Sequence, residues 1–302
     1  MNKILIVLIG VLIFYTVQSQ EEFDSLVLEF ENSTVEIFGS TRIVNSHSVE
    51  TLNKGILEFR IEHKFGDIAG TNGGIQTFFG FDNSTDIRFA FEYGVTDDLM
   101  LGLGRSKGTA GLSSEGSPYK SLLDGFVKYR LIKQSNAIPV SATIVGSTFY
   151  TYMKANTDLT SVASFPKYSN RFAYSTQLNL AKMFGSKLSV SLMPTFVYRN
   201  FVASNDVNAL FALGGALRYA INPRWGIIIE YFHNLNGNDI RTSTLNSLGV
   251  AVEWSTFGHV FTLNLTNATG FGDVQYIPYT YQNWLDGAFR LGFCISRKYV
   301  KE

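Results

Sequence analysis

Charged side chains that alternate with apolar ones are the residues of this chain with the clearest chemical potential. In the stretch 57–65 every even-numbered position is charged, and apolar residues or a histidine fill the others. A period of two is that of a β-strand, and it places the two kinds of side chain on opposite faces. The candidates for the polar face are Glu58, Arg60, Glu62, Lys64, Arg88, Glu92, Asp124, Lys128, Arg130, Arg218, Glu230, Glu253 and Arg290.

Two interpretations of this polar face are open. Charged groups collected inside a barrel would line a polar pathway for a small solute. They could instead pair across neighbouring strands and fill a narrow barrel as a salt-bridged core. Both signs of charge are mixed along the face, which argues against strong selectivity for anions or cations.

The four histidines do not form a recognisable catalytic or metal-binding group. His63, His233 and His259 fall on apolar faces near different strand ends, and His47 precedes the strands. Their spacing resembles no zinc site and gives no Ser-His-acid arrangement. The glycines of 70–74 lack the lysine of a phosphate-binding loop. We therefore predict no catalytic residues, no metal and no cofactor.

Composition narrows the class of protein. The chain has 302 residues, of which 45% are hydrophobic and only 17% are charged, with 25 basic residues against 25 acidic ones. A net charge of zero gives no support to nucleic-acid binding. Cys294 is the single cysteine, so no internal disulfide can form.

The N-terminus carries the pattern of an export signal. Lys3 precedes an apolar run, Ile4 to Val17, and polar residues follow it. We predict a signal peptide over residues 1–19, cleaved after Ser19, with an uncleaved anchor as the alternative. The run is shorter than the roughly 20 residues of a transmembrane helix. Any membrane crossing must therefore be made by strands.

The connections between strands alternate in length. Short connections are predicted at 95–98, 134–138, 185–187, 222–224 and 256–258. Longer ones are predicted at 66–84, 105–121, 153–170, 199–207, 235–245 and 267–286. Such sorting is typical of outer-membrane barrels. We predict an all-β, antiparallel up-and-down transmembrane barrel of about 12 strands over residues 54–296, with short periplasmic turns and long external loops; a soluble sandwich is the alternative.

Three segments outside the strands have open roles. Residues 20–53 are predicted to be a periplasmic segment or a plug of the lumen, and residues 297–302 a polar C-terminal tail. The last long loop is rich in aromatic residues, and it could constrict the lumen, bind a hydrophobic solute or cap the barrel. Its candidate residues are Tyr276, Tyr279, Tyr281 and Trp284.

Several motifs resemble one known family. The run Gly39–Thr51 leads into Gly55–Gly66, and the runs Glu92–Asp97, Leu101–Ser106 and Asp124–Tyr129 continue the pattern. As a set, over residues 40–300, these motifs resemble the DUF5777 family. The resemblance implies a β-barrel of the Bacteroidetes outer membrane, and it implies no reaction or ligand.

The functional expectation is a pore or channel-type transporter for a small solute. The alternative is a non-transporting scaffold that docks a partner through its external loops or N-terminal segment. In either case the expected location is the outer membrane. The expected partners are outer-membrane lipid, with a small solute in the first case and a protein of unknown identity in the second, and no nucleic acid.

Overall fold

A closed sheet of twelve strands forms the body of the protein. The computed structural model describes residues 36–82, 86–108, 118–135, 137–236 and 244–300, and Ile37–Glu302 is one compact unit. The strands are β1 (Leu57–Asp67), β2 (Asp86–Gly94), β3 (Leu99–Lys107), β4 (Ser121–Ile132), β5 (Ser141–Thr151), β6 (Phe172–Phe184), β7 (Leu188–Arg199), β8 (Ala209–Ala220), β9 (Trp225–Asn234), β10 (Ser247–Thr256), β11 (His259–Thr266) and β12 (Arg290–Tyr299). The predicted signal peptide lies outside the described residues.

Each strand pairs antiparallel with its neighbours in sequence, and β1 also pairs with β12. Closure leaves no strand edge with unpaired backbone groups, which is the condition for a sheet in lipid. The predicted fold class is therefore confirmed. The helical elements are short: α1 (Asp273–Tyr276) and 3₁₀ turns at Ile75–Thr77, Tyr168–Arg171 and Trp284–Asp286. None of the described helices is long and apolar enough to cross a membrane.

The connections fall into two sets, at opposite ends of the barrel. Those of 95–98, 133–140, 185–187, 221–224 and 257–258 are short, and those of 68–85, 108–120, 152–171, 200–208, 235–246 and 267–289 are long. Leu57 at the start of β1 is opposite both Tyr93 and Tyr299. Both ends of the barrel chain therefore lie at the short-turn end.

The wall has its apolar face outside, as a lipid-facing barrel requires. Strand β9 shows the pattern, because its residues alternate between exposed and buried without a break. Ile227 and Ile229 are each more than 40% exposed, whereas Ile228 and Glu230 are 1% exposed. The outer surface also carries stacked aromatic side chains, such as Trp225 and Trp254 with ring centroids 5.7 Å apart.

The predicted C-terminal boundary needs a correction. Strand β12 does not end at residue 296 but runs to Tyr299, so part of the predicted polar tail belongs to the wall. β12 extends this far because it closes the barrel by pairing with β1, whose first residue, Leu57, is opposite Tyr299. Arg297 is tolerated near the end of a membrane strand because a long basic side chain can extend toward the interface, and its guanidinium packs over the Tyr299 ring at 5.1 Å from the centroid.

Candidate functional site

All of the predicted polar-face residues occupy inward-facing positions of the wall. Eleven of them are at most 7% exposed: Glu58, Arg60, Glu62, Lys64, Arg88, Glu92, Lys128, Arg218, Glu230, Glu253 and Arg290. The side chains of Asp124 and Arg130 are 9% and 11% exposed. Most of these charges come from β1, β2 and β4, with Arg290 from the adjoining β12. We call this side of the lumen the charged half.

Ion pairs link the strands of the charged half. Arg60 Nη2 lies 2.5 Å from Glu58 Oε1. Arg88 lies between Glu62 and Asp124, with Nη to carboxylate distances of 2.5 Å to each. Such buried charges require partners, because an isolated charge out of water is strongly unfavourable.

Gly104 leaves space for the ion pair between Arg88 and Asp124, whose strands are not neighbours in the sheet. Arg88 on β2 and Asp124 on β4 meet across β3, at the position of Gly104. A Cβ at Gly104 would lie 2.6 Å from Arg88 Nη2 and 2.7 Å from Asp124 Oδ1. The ion pair occupies the space that any side chain at this position would need.

Residues 37–53 form a hairpin that is not a strand of the wall, and its residues up to Leu52 lie inside the lumen. Arg42 and His47 form a β-bridge, and the Ile43 amide donates to the Ser46 carbonyl at 2.9 Å. Near the start of the hairpin, Ser189 Oγ of the wall donates to the Ile37 carbonyl at 2.6 Å. At its other end, Thr51 Oγ1 donates to the Asp97 carbonyl in a short turn. The hairpin therefore enters and leaves at the short-turn end, and its turn points into the barrel.

One wall carboxylate holds the turn of the hairpin. Glu230 accepts hydrogen bonds from the backbone amides of Val44, Asn45 and Ser46 at 3.2, 2.9 and 3.2 Å. It also accepts one from Ser46 Oγ at 2.7 Å. Successive amides that converge on one anion are a common way to bind a carboxylate. Glu230 thus fixes the depth to which the hairpin enters.

Wall cations hold the two arms of the hairpin. Lys128 Nζ donates to the carbonyls of Thr41, Ser48 and Glu50 at 2.9, 3.2 and 2.9 Å. Arg60 Nη2 donates to Ser40 Oγ at 2.9 Å. Most of the hairpin's contacts with the charged half are therefore hydrogen bonds to ionised groups, which are stronger than neutral ones.

The last long loop also folds into the barrel, from the opposite end. Its residues 268–280 include α1, which contacts β6 and β7, and they pack against an apolar cluster of the lumen. The rings of Tyr276 and Phe232 meet edge to face with centroids 5.2 Å apart. Tyr276 OH donates to Asp273 Oδ1 at 2.7 Å, and Asp273 Oδ2 accepts from Ser175 Oγ at 2.5 Å. We call residues 268–280 the inward loop.

The four aromatic residues predicted for this loop have different positions. Tyr276 and Tyr279 are buried inside the barrel, at 0% and 6% exposure. Tyr281 is partly buried and packs against the same apolar cluster. Trp284 begins a 3₁₀ turn after the inward loop and is half-buried. Only the first three contribute to the packing of the lumen.

The hairpin and the inward loop meet in the middle of the lumen. Arg42 Nη2 donates to the Phe271 carbonyl at 2.8 Å. Lys64 Nζ donates to Asn45 Oδ1 at 2.7 Å and also to the Gly270 carbonyl. A cavity of about 10 Å³ lies between the two segments and the charged half. That volume has room for about one water molecule, so the hairpin and the inward loop leave little space where they meet.

His47 is the one histidine among these lumen contacts. Its Nε2 lies 3.5 Å from Arg42 Nη1, and its ring meets the Phe126 ring at 4.5 Å. Burial, and then the positive charge of Arg42, hold the pKa of His47 well below its usual value. His47 is therefore neutral in the seated hairpin.

The sequence offered two alternatives for residues 20–53, a periplasmic segment or a plug of the lumen, and did not decide between them. The central residues of the hairpin, Ser40 to Ser48, are mostly short and polar, and they have no period of two that extends over a strand. The available signal was the position of His47 and Arg42 in a motif that precedes the first strand. That signal marks the segment without showing that it turns back on itself.

A family model described as a membrane-bound beta barrel domain, DUF5777, matches residues 38–299. The chain belongs to this family. The match begins at the hairpin and ends at the last residue of β12, so it covers both the wall and the segment inside it. None of the curated proteins matches the chain.

Solved structures with a similar architecture include porins and channels. The KdgM porin, in complex with disordered oligogalacturonate, is 12% identical with a TM-score of 0.46, over 82% of this chain and 99% of that one. The NanC porin is 10% identical with a TM-score of 0.46, over 82% and 100%. An outer-membrane channel from Pseudomonas putida F1 is 16% identical with a TM-score of 0.48, over 83% and 98%. No ligand or activity is carried over from them.

Proposed function

We propose that this protein is a channel for a small polar solute in an outer membrane, and that the hairpin of residues 37–53 closes it. Export by the N-terminal signal peptide and an origin in the Bacteroidetes belong to the same proposal. The channel opens when the hairpin leaves the lumen toward the short-turn end. The protein has no enzymatic role in this account.

The observation that carries the proposal is the chemistry of the wall behind the hairpin. A lumen that only had to be filled would be as stable or more so with apolar residues, because buried ion pairs rarely repay their loss of hydration. Here the charged half carries Glu58, Arg60, Glu62 and Glu92 on two neighbouring strands. These groups would be well solvated in a water-filled passage. The wall is thus suited to a lumen that is wet when open.

The manner in which the hairpin is held supports its movement. Among the described residues, its only β-bridge is internal, between Arg42 and His47, so it adds no strand to the wall. Its hydrogen bonds to Glu230 and Lys128 can be exchanged for bonds to water at a modest net change in free energy for each. Because both of its ends lie at the short-turn end, it can withdraw without passing through the sheet.

The inward loop has a different role in the proposed channel. Its side chains pack mainly against apolar residues of the wall, as Tyr276 does against Phe232. When the hairpin leaves, the inward loop remains as a constriction beside the charged half. The solute then passes along the polar groups, and the narrowest part is set by the loop.

A second candidate function is a non-transporting scaffold that docks a partner. The observation in its favour is the small cavity between the hairpin and the inward loop, which has room for only about one water. A scaffold would keep its hairpin seated under every condition that supports its cellular role. Loss of that role on truncation of the exposed loops, with no uptake defect when the hairpin is locked in place, would select this candidate.

Single-channel recording tests the channel proposal. The full chain and a variant without residues 37–52 are purified in detergent and placed in planar bilayers. We expect rare or no steps from the full chain and stable steps from the deletion variant. In the deletion background, Glu58→Gln with Glu62→Gln removes two negative charges from the charged half, so we expect permeability to shift toward anions.

Folding of each variant is checked by the difference in electrophoretic mobility before and after heating. Asp158→Asn is the matched control for charge removal, because Asp158 is exposed in a long loop and its carboxylate accepts hydrogen bonds from Thr160 of the same loop. We expect no change of selectivity from this control. A folded deletion variant that gives no steps would contradict the channel proposal.

A further inference from the structure

The first long loop carries an apolar surface that neither the lumen nor the proposed channel uses. It joins β1 to β2, and its described part is 68–82. Four large apolar side chains on it are at least 44% exposed: Ile75 (74%), Phe78 (60%), Phe79 (45%) and Phe81 (44%). Exposed apolar residues that cluster in this way mark a contact surface. We call the segment Ile75–Phe81 the aromatic loop.

The backbone of the aromatic loop is held in place by hydrogen bonds. The Phe79 amide donates to the Gly74 carbonyl at 2.8 Å, and the Gly80 amide donates to the Thr77 carbonyl at 3.0 Å. The Gly66 amide at the end of β1 donates to the Gly80 carbonyl at 2.9 Å. The loop is thus a defined shape attached to the wall.

Two phenylalanines of the loop adopt left-handed backbone conformations. The φ angles are 45° at Phe78 and 54° at Phe79. This region costs a residue with a side chain roughly 1–2 kcal/mol. Strained backbone of this kind is found where a side chain is kept in a position for function. Here the two conformations keep both rings on the exposed side of the loop.

The loop folds outward, onto the surface that faces lipid. The Phe81 ring lies 4.9 Å from the ring of Phe65, an outward-facing residue of β1. The Phe65 ring in turn packs against the ring of Phe293 on β12, with centroids 6.2 Å apart. Phe78 extends the row, 5.7 Å from Phe81. The apolar surface of the loop is therefore continuous with the lipid-facing wall.

The charge of the loop also fits a lipid surface. Within 68–82 the only charged residue is Asp82, and no Lys or Arg is present. A surface without cations does not depend on anionic headgroups for its binding. Burial of a phenylalanine side chain contributes roughly 1.5–3 kcal/mol, so a few rings suffice to hold the loop against the membrane.

We propose that the aromatic loop is a membrane anchor, which inserts Ile75, Phe78 and Phe79 into the boundary between headgroups and acyl chains at the long-loop end. The occupant of the surface is lipid, with no requirement for a charged headgroup. The anchor fixes the depth of the β1 rim in the bilayer. It is independent of whether the lumen conducts.

Spin-label accessibility tests the proposal. The protein with Cys294→Ser receives a single cysteine at Phe79, is labelled with a nitroxide, and is reconstituted into phosphatidylcholine liposomes. Leu159→Cys is the matched control, because Leu159 is a 77% exposed apolar residue on another long loop. The measured quantity is the ratio of accessibility to oxygen over accessibility to a water-soluble nickel chelate.

We expect a ratio at Phe79→Cys severalfold higher than at Leu159→Cys, with no dependence on added salt. Ile75→Cys is a second reporter that leaves both left-handed residues intact, and we expect the same result from it. If Phe79→Cys does not fold, Ile75→Cys decides alone. A ratio at Ile75→Cys equal to that of Leu159→Cys would overturn the anchor, and would indicate a water-exposed surface for a protein partner.

Discussion

The hairpin and the inward loop both fill the lumen, but by different physical means. The hairpin presents polar groups such as Ser46 to the carboxylate of Glu230, and to the amines and guanidinium groups of the charged half. The inward loop buries Tyr276, Val274 and Ile277 in an apolar cluster of the lumen, to which the hairpin also contributes apolar residues such as Phe38 and Val49. Hydrogen bonds between protein groups can be exchanged with water, whereas apolar burial cannot. In the proposed channel, the hairpin leaves the lumen because its contacts with Glu230 and the charged half are polar, and the inward loop stays because its contacts are mainly apolar.

Truncation of the inward loop's main aromatic side chain is expected to have the largest effect. Tyr276→Ala removes a fully buried ring, so we expect the free energy of unfolding to fall by about 3–5 kcal/mol. The measurement is the urea midpoint of refolding into liposomes. Tyr276→Phe, which removes only the hydroxyl that donates to Asp273, should cost about 1 kcal/mol. Equal losses from both variants would contradict a core role for the loop.

Removal of the carboxylate that holds the hairpin turn should act on gating more than on stability. Glu230→Ala leaves the amides of Val44, Asn45 and Ser46 without their acceptor. We expect the open probability in planar bilayers to rise by more than about tenfold, which corresponds to roughly 1.4 kcal/mol of lost seating. Glu230→Gln retains one acceptor oxygen and should give a smaller increase. An unchanged open probability would show that Glu230 does not hold the closed state.

Two glycines of the wall provide a matched pair. At Gly104 a Cβ would lie 2.6 Å from Arg88 Nη2, whereas at Gly146 nothing lies within 4 Å. We expect Gly104→Ala to lower the free energy of unfolding by about 1–3 kcal/mol, because the added methyl displaces the ion pair of Arg88 and Asp124. Gly146→Ala should be neutral. The same urea midpoints measure both, and equal effects would show that the charged half has room to adjust.

The pH dependence of gating is expected to be the smallest effect. The seated hairpin holds the pKa of His47 below its usual value, whereas a released hairpin would bind a proton near pH 6.5. Released protein therefore binds more protons, and seating weakens as the pH falls below about 6.5, by at most about 1.4 kcal/mol for each pH unit. The positive charges of Arg42, Arg60, Arg88 and Lys128 around His47 act in the same direction.

Open probability measured from pH 7.5 to pH 5.5 checks this prediction. We expect an increase on acidification, and we expect His47→Gln to remove the part of the increase that comes from this side chain. An identical pH profile in His47→Gln would show that His47 does not contribute to gating.

The wall could be predicted from the sequence because its pattern is local. Each strand shows a period of two, and the stretch 57–65 alone separates the charged face from the apolar one. The short turns then indicate that neighbouring strands are antiparallel. Both the period of two and the sorted turn lengths are typical of a barrel that faces lipid. The sequence does not show where β12 ends, because the basic residues Arg297 and Lys298 resemble a polar tail. Their pairing with the start of β1 assigns them to the strand.

The sequence offered a plug by residues 20–53 and a constriction by the last loop only as alternatives among others, because the contacts that fill the lumen are distant in sequence. The Asn45 amide in the hairpin turn donates to Glu230, which lies 185 residues further along the chain. Apolar residues of the hairpin, such as Ile37, Phe38, Ile43, Val44 and Val49, are buried but irregularly spaced, so no periodic pattern marks the segment as buried. The tyrosines of the inward loop were noticed as a group, but aromatic residues are equally suited to a constriction, a ligand site or a core. Only the packing of Tyr276 against Phe232 distinguishes these uses.

A reversible disulfide between hairpin and wall tests the central claim most directly. A Cβ at Gly249 would lie 3.2 Å from Val44 Cβ, a few tenths of an ångström from the usual spacing of about 3.5–4.5 Å in disulfides. The variant carries Val44→Cys, Gly249→Cys and Cys294→Ser together with Glu230→Ala, which favours the open state. Its single-channel conductance is recorded before and after a reducing agent is added.

The account predicts no steps while the disulfide is intact and frequent steps after reduction. The single-cysteine variant that lacks Gly249→Cys should conduct in both conditions. Steps of equal size and frequency with the disulfide intact would contradict the account, because the hairpin would then have no part in closing the barrel.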